Sequence, residues 1–186
     1  KKTHQIADHI HNKNYEKAID LRGGSFRENL NTFNTLAQAL PTTHSKNEKP
    51  LRIGVMNASG PAPGMNTATR AVVRLGLDHG HEMVGIEDGF RGLINNQVTE
   101  LDWMSCEAWA SIGGSELGTN RIVPEYSDFY NIAKNIEKNQ LDALFIVGGW
   151  TGYESVYKLL NNEQNYPAFK IPMICLPASI NNNLPC

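Results

Sequence analysis

Apolar residues recur along this chain in two rhythms. In "SFRENLNTFNTLAQAL", Phe26, Leu30, Phe33, Leu36 and Leu40 stand three or four positions apart, a spacing that lines one face of a helix. Ser25 followed three residues later by Glu28 predicts a capping box at its start. Gly23 and Gly24 just before it end a preceding helix, and Pro41 stops the new one. Residues 1–40 thus read as helical. The polar run "PTTHSKNEKP" (41–50), with a proline at each end, reads as a linker.

After the linker the rhythm changes. "LRIGVMN" (51–57) predicts a strand. "GMNTATRAVVRLGLDHG" (64–80) predicts a helix with Met65, Ala68, Val72 and Leu75 inward, and "HEMVGIED" (81–88) a second strand. From Gly89 to Pro124 the pattern is irregular. "SDFYNIAKNIEKNQ" (127–140) reads as a helix with Ser127 as N-cap. "LDALFIVGG" (141–149) is apolar almost throughout, as a strand covered on both faces must be. "TGYESVYKLL" (151–160) reads as a helix and "IPMICLP" (171–177) as another buried strand. Alternating strands and helices predict an α/β fold, a parallel sheet with helices on both faces.

In such sheets ligands bind beyond the carboxyl ends of the strands. That rule selects "ASGPAPGMN" (58–66), "DGFRGL" (88–93), "GGWTGYES" (148–155) and "PASINNN" (177–183). A fifth glycine-rich stretch, "GGSELGTNR" (113–121), ends in an arginine. In the first loop Gly60 and Gly64, with Asn66 closing it, let backbone N–H groups approach an anion at a helix start. A tight ligand-free turn is an equal reading. No Gly-Lys-Ser/Thr follows, so it is not a Walker loop. It also lacks the three-glycine dinucleotide fingerprint, although Glu87 and Asp88 end the second strand where a ribose-binding acid would lie. Arg121 can clamp a phosphate through two parallel hydrogen bonds; a plain surface arginine is the alternative.

Composition narrows the field. The 186 residues have a formal net charge of −2, with 40% hydrophobic and 19% charged positions. That is globular, with no general attraction to nucleic acid or membrane surfaces. No apolar run approaches the ~20 residues of a membrane helix, and "KKTHQIADHI" has no apolar signal core. The three cysteines, Cys106, Cys175 and Cys186, are far apart and lack metal spacing, which fits a reducing compartment. Cys175 is expected as a small buried apolar residue. The six histidines form no ligand pattern, and Asn57-Ala58-Ser59 is a glycosylation sequon discounted for its place at a strand end. Both ends are expected to be cuts in something longer.

Taken together, "IGVMNASGPAPGMNTATRAVVR", "GFRGL", "GGSELGTNR", "FIVGGWTGYES" and "IPMICLPASINNN" resemble the 6-phosphofructokinase family in order and spacing from Leu51 onward. "AIDLRGGSF" with the helix after it resembles the segment joining the two halves of eukaryotic members, and "NYPAFKIPM" is similar to fungal ones. The resemblance implies a Rossmann-like phosphofructokinase fold. Residues 1–40 would be a connector from the N-terminal half, and 51–186 the first part of the C-terminal half. It implies a cytoplasmic parent that uses Mg2+ and ATP to phosphorylate fructose 6-phosphate and assembles with other phosphofructokinase subunits.

The departures from the family pattern carry the functional reading. Active members have an acid where Pro61 stands, Gly-Gly-Asp-Gly-Ser where this chain has Gly148-Gly149-Trp150-Thr151-Gly152, and Thr-Ile-Asp-Asn-Asp where it has Ser179-Ile180-Asn181-Asn182-Asn183. The acid positions thus hold Trp150, Asn181 and Asn183. An amide accepts no proton near neutral pH, and loss of a general base alone costs about 10²–10⁴ in rate. Phosphoryl transfer also needs metal ions to neutralise the transferring group, and an indole binds none. A carboxylate about 4 Å from a phosphate repels it by about 4 kcal/mol at an effective dielectric of 20; an amide removes that and adds N–H donors. In the eukaryotic family the C-terminal half binds the activator fructose 2,6-bisphosphate. The resemblance assigns those contacts to Arg121, Ser179, Ile180, Asn181, Asn182 and Asn183, with further arginines and a histidine expected beyond Cys186. Cys186 itself stands where relatives usually have glycine. No catalytic residue, metal or nucleotide is expected in this segment. The other readings are retained kinase activity, a half that only buttresses an oligomer, and a dinucleotide-binding oxidoreductase domain.

Overall fold

A computed structural model describes residues 2–23, 27, 28, 31, 49–181, 183 and 184. The chain divides into two compact units, residues up to Ser45 forming one and Lys46–Leu184 the other. In the first unit, helices α1 (Lys2–His11) and α2 (Tyr15–Arg22) are separated by a turn in which Lys13 has φ 56°. Ala18 and Ile19 are buried. Gly23, at φ 106°, closes α2, and its N–H donates to Ile19 O at 2.7 Å. The predicted capping box at Ser25, the stripe from Phe26 to Leu40 and residues 41–48 of the linker lie outside the described residues, as does Gly24.

The second unit contains β1 (Arg52–Ala58), α3 (Met65–Asp78), β2 (Glu82–Ile86), α4 (Gly89–Asn95), β3 (Val98–Leu101), α5 (Tyr126–Lys138), β4 (Ala143–Gly148), α6 (Trp150–Leu160) and β5 (Met173–Pro177). The sheet order is β3-β2-β1-β4-β5. Strand β1 pairs in parallel with β2 and β4, and β4 with β5. The expectation of a wholly parallel sheet needs one correction, because β3 runs antiparallel to β2. The connection 87–97 is shorter than the dozen or more residues a parallel crossover takes. The edge strand carries the exposed, polar Thr99 and Glu100, which blunt further pairing. Both α4 and β3 fall in the stretch read from sequence as irregular. They are too short to show a period.

Helices cover both faces of the sheet. On one, α4, α5 and α6 bring Phe90, Leu93, Phe129, Ile132, Ile136 and Leu159 onto Met56, Ile86, Leu144 and Ile146. On the other, Val73 of α3, with Trp109 and Leu117, packs on Val55, Met83 and Leu101. The inward face of α3 is rotated by one residue from the prediction: Met65, Asn66, Thr69 and Val73 are buried, while Leu75 is 61% exposed. Two polar residues sit inside because each finds partners there, as described below. Helix α5 starts earlier than expected. Its N-cap is Glu125, not Ser127, and the Asp128 carboxylate accepts from the Glu125 N–H at 3.0 Å.

Strand β5, read as buried, is covered on one face only. Met173 and Cys175 pack against the core of α5 and α6, whereas Ile174 is 55% exposed and Leu176 is also exposed. No described element covers that second face. Cys175 is half-buried, and burial pushes its thiol from 9.0 up to about 11. Between those values an unfolded chain releases the proton and the folded chain keeps it. The contribution of Cys175 to stability is therefore whole below pH 9.0 and is lost as pH rises through about 11. Urea unfolding should show stability falling across that window, with a shallower fall for Cys175→Ala. Identical slopes would refute the assignment.

Candidate functional site

The parallel strands β1, β4 and β5 end level with one another. Ala58 pairs with Gly148, and Gly148 with Pro177. Their outgoing loops therefore open side by side, held by Gly149 N–H donating to Ala58 O (3.3 Å) and Ala178 N–H to Gly148 O (2.9 Å). This closeness explains the glycines. A Cβ on Gly148 would lie 2.0 Å from Ala58 O, and one on Gly149 2.8 Å from Ser59 Oγ.

Between these loops is a cleft of about 230 Å³. The β1 loop contributes Ser59 and Gly60, and the start of α6 contributes Trp150 and Thr151. The loop after β5 contributes Ser179, Ile180, Asn181 and Asn183, and Arg121 completes the wall. The cleft unites residues from four of the five loops selected in the sequence. Arg121 lies over Gly60, where a Cβ would meet its Nη2 at 2.8 Å. Among the described residues Arg121 has no ion pair or hydrogen-bond partner on its side chain. Ser179 Oγ donates to Asn183 Oδ1 at 3.1 Å, and Asn183 N–H donates back to Ser179 Oγ at 3.4 Å. With its oxygen engaged, the Asn183 amide keeps its Nδ2 hydrogens as donors. Asn182 lies outside the described residues.

Arg121 is delivered by the 112–121 segment, which a buried polar network pins down. Asn57, at the end of β1, donates from Nδ2 to Ser115 Oγ (2.6 Å) and accepts from Thr69 Oγ1 (2.9 Å). Ser115 Oγ in turn donates to Gly118 O at 2.7 Å. Asn66 donates to Ile112 O (2.9 Å) and accepts from Glu116 N–H (2.7 Å). Asn57, Asn66 and Thr69 are all buried, so each unmade bond would cost about 1–3 kcal/mol. Ser59 N–H donates to Asn120 O (2.8 Å), and Thr119 Oγ1 donates to Ser59 O (2.8 Å). That clamp holds Ser59 at φ 96°, a region that side-chain-bearing residues rarely adopt. Such strain persists where the surroundings over-determine it, commonly at functional sites.

The remaining sequence candidates serve this scaffold. Gly64, at φ 85°, caps α3 and does not line the cleft, and Asn66 is spent on the 112–116 segment. The loop 88–93 also stays out of the cleft: Asp88 packs on Gly118, whose Cβ would meet its Oδ1 at 2.4 Å, and its carbonyl accepts from Asn120 Nδ2. Glu87 accepts from Thr99 Oγ1 at 2.9 Å. Neither acid therefore faces the cleft as a ribose ligand would. Sequence reasoning missed the positioning roles of Asn57, Thr69 and Ser115. The signal available was a polar residue ending an apolar strand and another within the following helix; Ser115, in a loop, gave none.

The chemistry of the cleft follows from what lines it. Among its described residues there is one cation, two carboxamides, three hydroxyls and no carboxylate. Mg2+ is ordinarily held through one or two carboxylates, so this donor set does not fit it. Nor does any group here accept a proton near neutral pH. The described lining offers hydrogen-bond donors and one positive charge.

Comparison with known proteins agrees with the fold. The chain is 37% identical over 186 residues to the alpha subunit of ATP-dependent 6-phosphofructokinase from Candida albicans, covering 100% of this chain and 19% of that protein. It is 40% identical over 191 residues to the ATP-dependent 6-phosphofructokinase of Aspergillus fumigatus, covering 98% of this chain and 24% of the relative. The phosphofructokinase structure from Saccharomyces cerevisiae superposes with a TM-score of 0.72 at 36% identity, over 100% of this chain and 24% of that one. The chain thus spans only a fraction of these relatives' length. The phosphofructokinase family profile matches residues 52–186, the segment that builds the sheet and the cleft, and the chain belongs to the phosphofructokinase family.

Proposed function

We propose that this chain is the connector and first part of the regulatory half of a eukaryotic ATP-dependent 6-phosphofructokinase, and that its cleft binds fructose 2,6-bisphosphate as an allosteric activator without reacting it. The observation that carries the reading is the lining, which among the described residues has an unpaired guanidinium, amide and hydroxyl donors, and no acid. A phosphate gains charge-assisted hydrogen bonds there and meets no repelling carboxylate. Phosphoryl transfer from Mg-ATP to fructose 6-phosphate belongs, in this reading, to the other half of the parent enzyme. That the relatives include proteins named as alpha and beta subunits supports assembly with other phosphofructokinase subunits. A cytoplasmic location is part of the same proposal.

Isothermal titration of fructose 2,6-bisphosphate into the intact protein tests it. A hydrogen bond to a charged group contributes about 1.5–3 kcal/mol, so Arg121→Ala should weaken binding at least about tenfold. Asn183→Ala should weaken it less. Unchanged affinity in both variants would sink the site assignment.

A further inference from the structure

Trp150 has a role that its position alone does not announce. Its indole is 52% exposed, yet it lines a cleft whose other side chains, Ile180 apart, are polar. Of the other exposed aromatics of this unit, Trp103 has Arg74 4.5 Å over its ring, and Tyr126 packs at a tilt on Phe129 and edgewise on Tyr166, whereas Tyr130 and Tyr157 stand outside this cleft. Among the described residues Trp150 stacks on no ring and carries no cation. Its backbone is nonetheless tightly placed. Gly149, before it, abuts Ser59, and Gly152, after it, sits against Ile146, where a Cβ would meet Cγ2 at 3.2 Å. Gly152 N–H also donates to Gly149 O at 2.9 Å. A large apolar plane is thus held in water beside an anion anchor.

We propose that Trp150 is the ring platform of the cleft, and that it selects a phosphorylated monosaccharide over bare phosphates. This rests on the reading of the cleft as a sugar-phosphate site. A sugar ring offers an apolar C–H face that an indole can desolvate while Arg121 holds the phosphate. An inorganic phosphate has no such face. A nucleotide also carries a ring, and AMP separates that occupant from a sugar in the test.

Calorimetric titration of the intact protein with fructose 2,6-bisphosphate, inorganic pyrophosphate and AMP provides the test. Trp150→Ala should weaken the sugar bisphosphate about tenfold and change pyrophosphate affinity less than about twofold. Trp150→Phe should recover most of the loss, and Arg121→Ala should weaken both the sugar bisphosphate and pyrophosphate. An equal loss for pyrophosphate and sugar, no loss for the sugar, or an AMP affinity that falls with Trp150→Ala would overturn the platform role. If the unsubstituted protein does not bind the sugar bisphosphate, the underlying site reading falls as well. Unfolding midpoints of the two Trp150 variants separate a binding loss from a folding loss.

Discussion

Replacing both Asn181 and Asn183 by aspartate should weaken fructose 2,6-bisphosphate binding about a hundredfold or more and produce no kinase activity in this cleft. Free aspartate titrates near pH 3.9, so both side chains would be anionic at neutral pH. Each would then lie beside bound phosphate. At about 4 Å a unit pair repels by ~1 kcal/mol in bulk water and ~4 kcal/mol near a protein surface. Two such pairs outweigh the single favourable charge of Arg121. Because both loop residues are exposed, the penalty should shrink as salt screens the charges. Turnover should not appear even though proton acceptors have been restored. Trp150 and Pro61 still stand where active members of the family are expected to carry acids. Titration at low and high salt checks the first part. A turnover assay with the other half disabled checks the second. Retained affinity, or measurable phosphorylation, would overturn the account of why these asparagines are present.

The second large effect is expected at Gly148. Its Cβ, if added, would lie 2.0 Å from the carbonyl oxygen of Ala58 and 2.9 Å from its carbonyl carbon. These are backbone atoms of the neighbouring strand, so no side chain can swing away. Overpacking costs about 1–3 kcal/mol and occasionally more, and Gly148→Ala should lie at the upper end, about 3 kcal/mol. The same clash would pry apart the strand ends that bring Ser59 and Trp150 together, so ligand binding should fail as well. Gly113 is a matched control, since a Cβ there meets nothing within 4 Å. Gly113→Ala should unfold within about 0.5 kcal/mol of the unsubstituted protein, as changes away from packed features usually do. Chemical denaturation of the two variants makes the comparison. A Gly148→Ala protein as stable as Gly113→Ala would show that the strand ends are not closely packed in solution.

Much of the fold was legible in the amino-acid order. The runs "LRIGVMN" and "LDALFIVGG" are apolar because β1 and β4 are central strands covered on both faces, and continuous apolarity can be read without coordinates. The loops that line the cleft were legible too, because parallel strands place their carboxyl ends on one edge and the sequence shows which loops follow them. The absence of acids from "SINNN" and "GGWTG" is likewise a property of the sequence alone, since side-chain chemistry does not depend on the fold.

Other features depended on contacts between residues distant in the chain. Asn66 and Thr69 face inward on α3 because Ile112, Glu116 and Asn57 satisfy them, and helical periodicity cannot anticipate such partners. The antiparallel turn of β3 came from a connection too short to cross over. The exposure of Ile174 came from the position of β5 in the sheet, where nothing among the described residues covers one face. The difference between the glycine-rich loops was also tertiary. Gly60 reaches the cleft under Arg121, whereas Gly64 and Asn66 are turned to the scaffold. Amino-acid order was enough to set the sheet's central strands and the chemical character of the cleft. Which polar residues hold Arg121 in place, and which line the cleft, was settled by the folded chain, because hydrogen-bond partners far apart in the sequence meet only after folding.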